Sequence, residues 1–248
     1  MEEKKKSQNE EHSQSRRTFL MNSGLTVGSL IIGGAIGNFI ARKPDSATNT
    51  TSTSVQPQQV NNHSEAMQFF TRKEDFDTLS AAVECIFPED EHGPGAIGLG
   101  VPYFIDKQLS SPWGKSAEQY RKFPFMPGET PLNRGEIFIE GLRKLSDVSQ
   151  QKHNATFSSL QEEQQIEILQ MFEKGEVELK RVSSIEFFML LRQSTLEGCY
   201  SDPLYGGNKN MEGWKMKEFP GAQMSYIAEV ESDFKIISPL SLGSHNHQ

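Results

Sequence analysis

The sequence predicts an all-α domain of about five or six helices around one core, carrying two long loops rich in glycine, proline and aromatic residues. Three observations predict it. Apolar residues recur every three or four positions through most of the region after Phe76, the period of a helix with one buried face. Short Thr- or Ser-led capping signals stand just ahead of several of those runs, where helices start. No alternation of strand length appears before Ser225, and Ser225–Ile237 is ambiguous between a frayed helix and a short strand.

In chain order, Thr71-Arg72-Lys73-Glu74 reads as a capping box, followed by Phe76, Leu79, Val83 and Ile86 at helical spacing, with Pro88 as the stop. After the Gly93-Pro94-Gly95 loop, Pro102 begins a short helix through Leu109, with Tyr103, Phe104 and Leu109 toward the core. Ser110–Thr130 is a loop or broken helix holding Trp113, Tyr120, Phe123 and Phe125. From Asn133 to Ser146 the set Ile137, Phe138, Gly141, Leu142 and Leu145 marks an amphipathic helix, with Gly141 at a close helix crossing. Ser159 and Glu162 open another, with Ile166, Leu169 and Phe172 on one face. Ser183 and Glu186 open the most apolar one, Ile185–Glu197, whose Phe-Phe-Met-Leu-Leu run implies burial on nearly all sides. Gly198 is read as its stop.

Composition divides the 248 residues further. Hydrophobic residues make up 35% and mean hydropathy is −0.56, so part of the length is not core. Residues 1–43 carry a net +3 and the rest −11. A domain that acidic repels nucleic acid, whose binding rests on cations neutralising phosphates, and that partner class is excluded. The chain therefore reads as 1–43 signal or membrane anchor, 44–64 flexible linker, 65–237 helical domain and 238–248 polar tail.

Ser15-Arg16-Arg17-Thr18-Phe19-Leu20 matches the twin-arginine export pattern, with Arg16, Arg17, Phe19 and Leu20 as its signal residues. They stand directly before the uncharged, Gly-rich apolar run Ser23–Ile40, about eighteen residues, the lower edge of a bilayer-spanning helix. The small-x-small cleavage pattern is spoiled by Phe39 before Ala41 and by Asp45 before Ala47. The segment reads as an uncleaved anchor that holds an exported, extracytoplasmic domain at the membrane. Gly24-x-x-x-Gly28 and Gly33-x-x-x-Gly37 fit helix-dimer spacing, although glycine is abundant in signals of this kind. Pro44–Ser64 is Ser, Thr, Asn, Gln and Pro with few large apolar groups, too little to offset ordering entropy, and reads as a tether.

Catalytic and cofactor patterns are absent from the sequence. There is no Cys-x-x-Cys-His, no multi-Cys cluster run and no Gly-x-Gly-x-x-Gly after a strand. Gly206-Gly207 precedes Lys209 but lacks phosphate-loop spacing. His92 and His153 stand on loops without a spaced nucleophile, Asp90, Glu91 and Asp202 pair only through folding, and His245-x-His247 lies in the tail. No catalytic, metal or cofactor residue is assigned. Cys85 and Cys199, at the ends of the first and last predicted helices, are either one disulfide or two buried thiols.

Gly198–Ala222, GCYSDPLYGGNKNMEGWKMKEFPGA, packs five Gly, two Pro, Tyr200, Tyr205, Trp214 and Phe219 into a run with no helical or strand period. Such a stretch is a loop folded over something, since large rings bury area only when neighbours cover them. It is either a cap on the domain's own core or a surface reserved for another protein. For the second role the contact residues are Tyr200, Asp202, Tyr205, Asn208, Trp214, Phe219 and Pro220.

Those residues also carry a resemblance. Ser201–Ala222 resembles the C-terminal signature of the gluconate 2-dehydrogenase subunit 3 family, the small non-flavin subunit of membrane-bound sugar-acid dehydrogenases. Ile86–Leu109, IFPEDEHGPGAIGLGVPYFIDKQL, is similar to an earlier part of the same family, and the likeness runs over Phe76–Ala222. The resemblance implies a helper subunit without an active site of its own, exported with a large flavoprotein that holds the FAD. Electrons would pass from that partner to a cytochrome subunit or the quinone pool. Two other readings stay open: a stand-alone extracytoplasmic oxidoreductase, and a chaperone that releases its client after export.

Overall fold

A computed structural model of the chain describes residues 65–126, 128–227, 233 and 235–245. The signal residues Arg16, Arg17, Phe19 and Leu20, the apolar run and the linker lie outside the described residues, as do residues 228–232 and 234 of the ambiguous segment. Six α-helices and no sheet are found among the described residues, an all-α fold as the periodicity predicts. No helix among them is long and apolar enough to cross a membrane.

Helix α1 (Lys73–Ile86) buries Phe76, Leu79, Ala82, Val83 and Ile86 on one face. Its predicted capping box does not form. Arg72 is the cap residue and makes no side-chain cap bond, because the Glu74 carboxylate pairs with the Arg72 guanidinium instead. Helix α2 (Val101–Ser110) starts after Gly100, held at φ +76, with Pro102 in its first turn. Phe104 and Leu109 are buried as predicted, while Tyr103 is half-buried and lies 5.0 Å from the Phe76 ring.

The fully buried Asp106 of α2 accepts the backbone N–H groups of Gln68, Phe69 and Phe70, the last two at 3.1 and 2.9 Å. One carboxylate thereby clasps the start of the described chain to the core.

Helix α3 (Arg134–His153) has the full capping box, Asn133 with Glu136, and runs two turns past the predicted end. Val148 and Ser149 continue its buried face, the Ser149 hydroxyl donating to the Leu145 carbonyl at 2.7 Å. The helix stops at Asn154 in the left-handed conformation, φ 52. Helix α4 (Glu162–Glu173) is capped two residues later than predicted, by Gln161 and Gln164, since Ser159 belongs to the single turn Phe157–Ser159. Its core face is Gln165, Ile168, Leu169 and Phe172, with the predicted Ile166 partly buried against the same core. Gln165 is buried because its amide is satisfied: it donates to the Phe157 carbonyl and accepts from the Cys85 thiol.

Helix α5 (Ser184–Tyr200) begins at Ser183, whose hydroxyl accepts the Glu186 N–H at 3.1 Å, as predicted. Two expectations for it fail. Ile185 and Met189 are exposed, so burial is not all-round. Gly198 does not end the helix, which continues through it to Tyr200. Helix α6 (Glu212–Met216) is a short turn inside the second long loop.

Helix α5 is packed by α1, α2, α3 and α4 together, and Phe187 joins it to α3 and α4. Its ring meets Phe138 at 6.2 Å and Phe172 at 5.7 Å, both edge-on. A Cβ at Gly141 would lie 2.1 Å from the Phe187 ring, so the crossing predicted at Gly141 is real and admits only glycine. Gly141→Ala is expected to destabilise by about 1–3 kcal/mol through overpacking, despite its better helix propensity. Denaturant melts of the two chains check this.

Candidate functional site

The Gly93-Pro94-Gly95 loop and the signature loop Gly198–Ala222 fold into one junction at the C-terminal end of α5. Helix C-termini leave carbonyl groups without intrahelical partners. Here the chain that follows the helix supplies the donors. The Gly198 carbonyl accepts the Asn208 N–H at 2.9 Å, the Tyr200 carbonyl accepts the Trp214 indole N–H at 2.7 Å, and the Ser201 carbonyl accepts the Asn208 side-chain amide at 2.8 Å. The Asn208 Oδ1 in turn accepts the Gly213 N–H at 2.8 Å. Asn208 is fully buried and left-handed, φ 47, a conformation that asparagine tolerates better than most residues. A Cβ at Gly213 would meet the Cys199 carbonyl oxygen at 2.0 Å, so the loop can lie this close to the helix end only with glycine there.

The first loop is shaped from α1. The Glu84 carboxylate accepts the N–H groups of Glu89 at 3.1 Å and Ile97 at 2.8 Å, which folds Phe87–Gly100 back over the helix end. The loops then join: the Lys209 N–H donates to the Leu99 carbonyl at 3.1 Å, and Phe87 meets Tyr200 edge-on at 5.9 Å. Beneath them Gly198 faces Val101 and Phe104, with no room for a Cβ. Its role is close packing inside the helix, which explains why it is not a stop.

A third strip of chain closes the junction from the C-terminal side. Asp202, buried, accepts the Leu204 N–H and the Ser241 hydroxyl at Oδ1, and the Leu242 N–H at Oδ2. Ala222 N–H donates to the Leu240 carbonyl at 2.7 Å and Leu240 N–H to the Pro220 carbonyl at 3.1 Å.

The structure divides the seven residues named for partner contact. Trp214 (5% exposed), Asn208 and Asp202 face inward and bond to the chain's own backbone. Tyr205 and Phe219 are 48% and 47% exposed, and Leu204 is exposed as well. Tyr200 and Pro220 are half-buried between the two groups. Burial pushes the Tyr200 hydroxyl above the usual tyrosine range, with Cys199 adding to it. Phe219 links the layers, its ring 5.4 Å from Trp214.

Cys85 and Cys199 are buried thiols, and no disulfide joins them. The Cys85 thiol donates to Gln165 Oε1 at 3.1 Å, which turns it toward α4. Burial, and secondarily the Glu84 carboxylate, push the Cys199 thiol far above its ordinary value. The pair reads as core packing.

The remaining titratable candidates do not converge. His92 is exposed beside Glu91 at 3.6 Å, and Asp90 accepts the His92 N–H. His153 sits at the far end of α3 against Gln164. His245 closes the turn Leu242–His245, and His247 lies outside the described residues. Among the described residues no group of three His, Cys, Asp or Glu side chains could hold a metal ion.

The fold and the junction define a helical domain in which the Gly-rich loop after α1 and the aromatic-rich loop after α5 are built into one cap. Residues 73–221 match the family described as Gluconate 2-dehydrogenase subunit 3, and the chain belongs to that family. The matched residues begin at α1 and end at the Gly221 turn, so they contain both loops and all six helices. No curated protein and no solved structure matches the chain.

The sequence did not reveal Glu84, which shapes this region, or Asp106, which clasps residues 68–70 to α2. Their signal was present: Asp106 interrupts the apolar face of α2, and a carboxylate there must be satisfied internally.

Trp214→Ala is expected to cost about 3–5 kcal/mol of folding stability, whereas Tyr205→Ala is expected to change it by about 0.5 kcal/mol or less. Thermal and denaturant melts of the isolated chain check both. In the native chain neither cysteine is expected to react with a maleimide, and both are expected to react after denaturation, with or without reductant. Mass spectrometry counts the adducts.

Proposed function

We propose that this chain is the non-catalytic small subunit of an exported FAD-dependent dehydrogenase complex of the gluconate 2-dehydrogenase kind. It supports export, maturation and membrane association of the flavoprotein subunit. The observation that carries the reading is the division of labour in the junction. Glu84, Asp202 and Asn208, the polar side chains best placed for chemistry there, are each engaged by the chain's own backbone. The rings of Tyr205 and Phe219 face outward on a rigid base. Exposed rings held by a buried scaffold make interface anchors, because little side-chain entropy remains to be lost on binding.

FAD belongs to the partner in this reading. The described residues hold no parallel sheet with a strand-turn-helix phosphate site, so they do not fit a dinucleotide of that kind. Electrons leave the flavoprotein for a cytochrome subunit or the quinone pool. The twin-arginine residues Arg16 and Arg17 address the folded pair to the export machinery, and the apolar run Ser23–Ile40 holds it, extracytoplasmic, at the membrane.

Two measurements test this. Tyr205→Ala with Phe219→Ala is expected to weaken capture of the co-expressed flavoprotein about thirtyfold, the effect of losing roughly 2 kcal/mol at a hot spot. Capture at wild-type affinity would remove the docking role, and flavin bound to the isolated chain would favour a stand-alone oxidoreductase. Replacing Arg16 and Arg17 by Lys keeps the charge but loses the paired guanidinium groups. Cytoplasmic retention of this chain and its flavoprotein is expected, read by fractionation, and undiminished export would contradict the address.

A further inference from the structure

The loop between α2 and α3 has a feature that the dehydrogenase-subunit reading does not use. Its base is pinned. Arg134 donates to the Trp113 carbonyl, pairs with Glu118 and stacks 4.5 Å from the Trp113 ring centre. Arg121 donates to the Leu132 carbonyl at 2.6 Å and stacks 4.8 Å from the Phe125 ring centre. Above that base the tip stands off the α3 and α5 surface over a groove of about 830 Å³. Tyr120, Phe123 and Met126 are 91%, 79% and 67% exposed. Phe123 is braced edge-on by Phe125, centroids 4.7 Å apart.

Charge says what covers this tip. Residues 120–126, Tyr-Arg-Lys-Phe-Pro-Phe-Met, hold two cations and no anion, in a chain whose residues after 43 carry a net −11. The nearby acids are occupied or set back: Glu118 pairs with Arg134, Glu129 accepts the Met126 N–H at 2.9 Å, and Glu186 lies in the groove below. A convex tip of rings and a thioether beside Arg and Lys suits a bilayer interface. Apolar side chains enter the acyl boundary there while the exposed Lys122 reaches the phosphates, Arg121 being held at the base. A flat protein partner would leave such projecting side chains without a matching hollow.

We propose that the Tyr120–Met126 tip inserts into the interface of an anionic phospholipid bilayer and fixes the orientation of the domain on it. The inference rests on the membrane-associated reading above and adds a second contact, independent of the N-terminal run.

The test uses the full chain reconstituted in vesicles of phosphatidylglycerol and phosphatidylcholine, with a polarity-sensitive fluorophore at Lys122→Cys. The native thiols are buried and stay unlabelled. The expected result is a blue-shifted label, quenched by brominated lipid and shielded from aqueous iodide. A label at Lys174→Cys, exposed at the end of α4, stays open to iodide. Adding Phe123→Ser and Met126→Ser returns the loop label to iodide access while the chain remains on the vesicles. A Lys122→Cys label that stays open to iodide in the otherwise unaltered loop overturns the proposal. So does a label shielded only after the flavoprotein is added, which would make the tip a protein interface. Carbonate extraction reports separately on the N-terminal run. If carbonate frees the chain, the label is read on the peripherally bound fraction, and absence of such a fraction also overturns the proposal.

Discussion

The C-terminal end of α5 sets the constraint on which the rest of the structure depends. A helix that ends inside the domain exposes carbonyl groups that water cannot reach, and each left without a donor costs about 1–3 kcal/mol. The chain answers with its own next two dozen residues. Asn208 and Trp214 return as donors to the Gly198, Tyr200 and Ser201 carbonyls, and the loop that carries them is thereby held against the helix. Asp202 then ties residues 241 and 242 to the same place. The Leu99 carbonyl joins the earlier loop through Lys209. Two distant stretches become one cap because a single helix end needed closing.

That origin explains the junction's two faces. Side chains that close a helix end must point inward and lie fixed, which removes Asn208, Asp202 and Trp214 from any encounter with solvent. What remains outward, Tyr205, Phe219 and Leu204, is mounted on a base with little freedom. Rigidity of this sort suits recognition, and the Glu84, Asp202 and Asn208 side chains are each engaged by the chain's own backbone. The helical domain of this family member presents surfaces: one ringed by the signature loop, one formed by the basic and aromatic tip after α2.

Much of the fold was legible in the sequence where a local rule and the tertiary fold agree. Ser183 caps α5, Asn133 begins α3, Pro102 opens α2, and Gly141 sits where two helices touch. The misses have physical causes. Thr71 and Ser159 fit the capping pattern, but Arg72 captured Glu74, and Gln161 offered the same reciprocal bonds two residues on. The last turns of α3 read as polar because only Val148 and Ser149 face the core there. Gly198 looked like a stop, but a glycine serves equally for close approach, and Phe104 and Val101 fill the space where its Cβ would be. The signature loop was legible as an ordered loop, whereas which rings point in could not be read, since inward and outward rings have the same composition.

The central claim is that the signature loop is part of the domain's own fold, closed onto α5, and displays its outer rings from that base. Hydrogen–deuterium exchange on the isolated chain tests it most directly. The account predicts that the Asn208, Lys209 and Gly213 amides exchange as slowly as those of Leu191 and Thr195 in the buried part of α5, opening only with global unfolding. Rapid exchange at those three amides, with α5 still protected, would show a loop ordered only by its partner and would contradict the account.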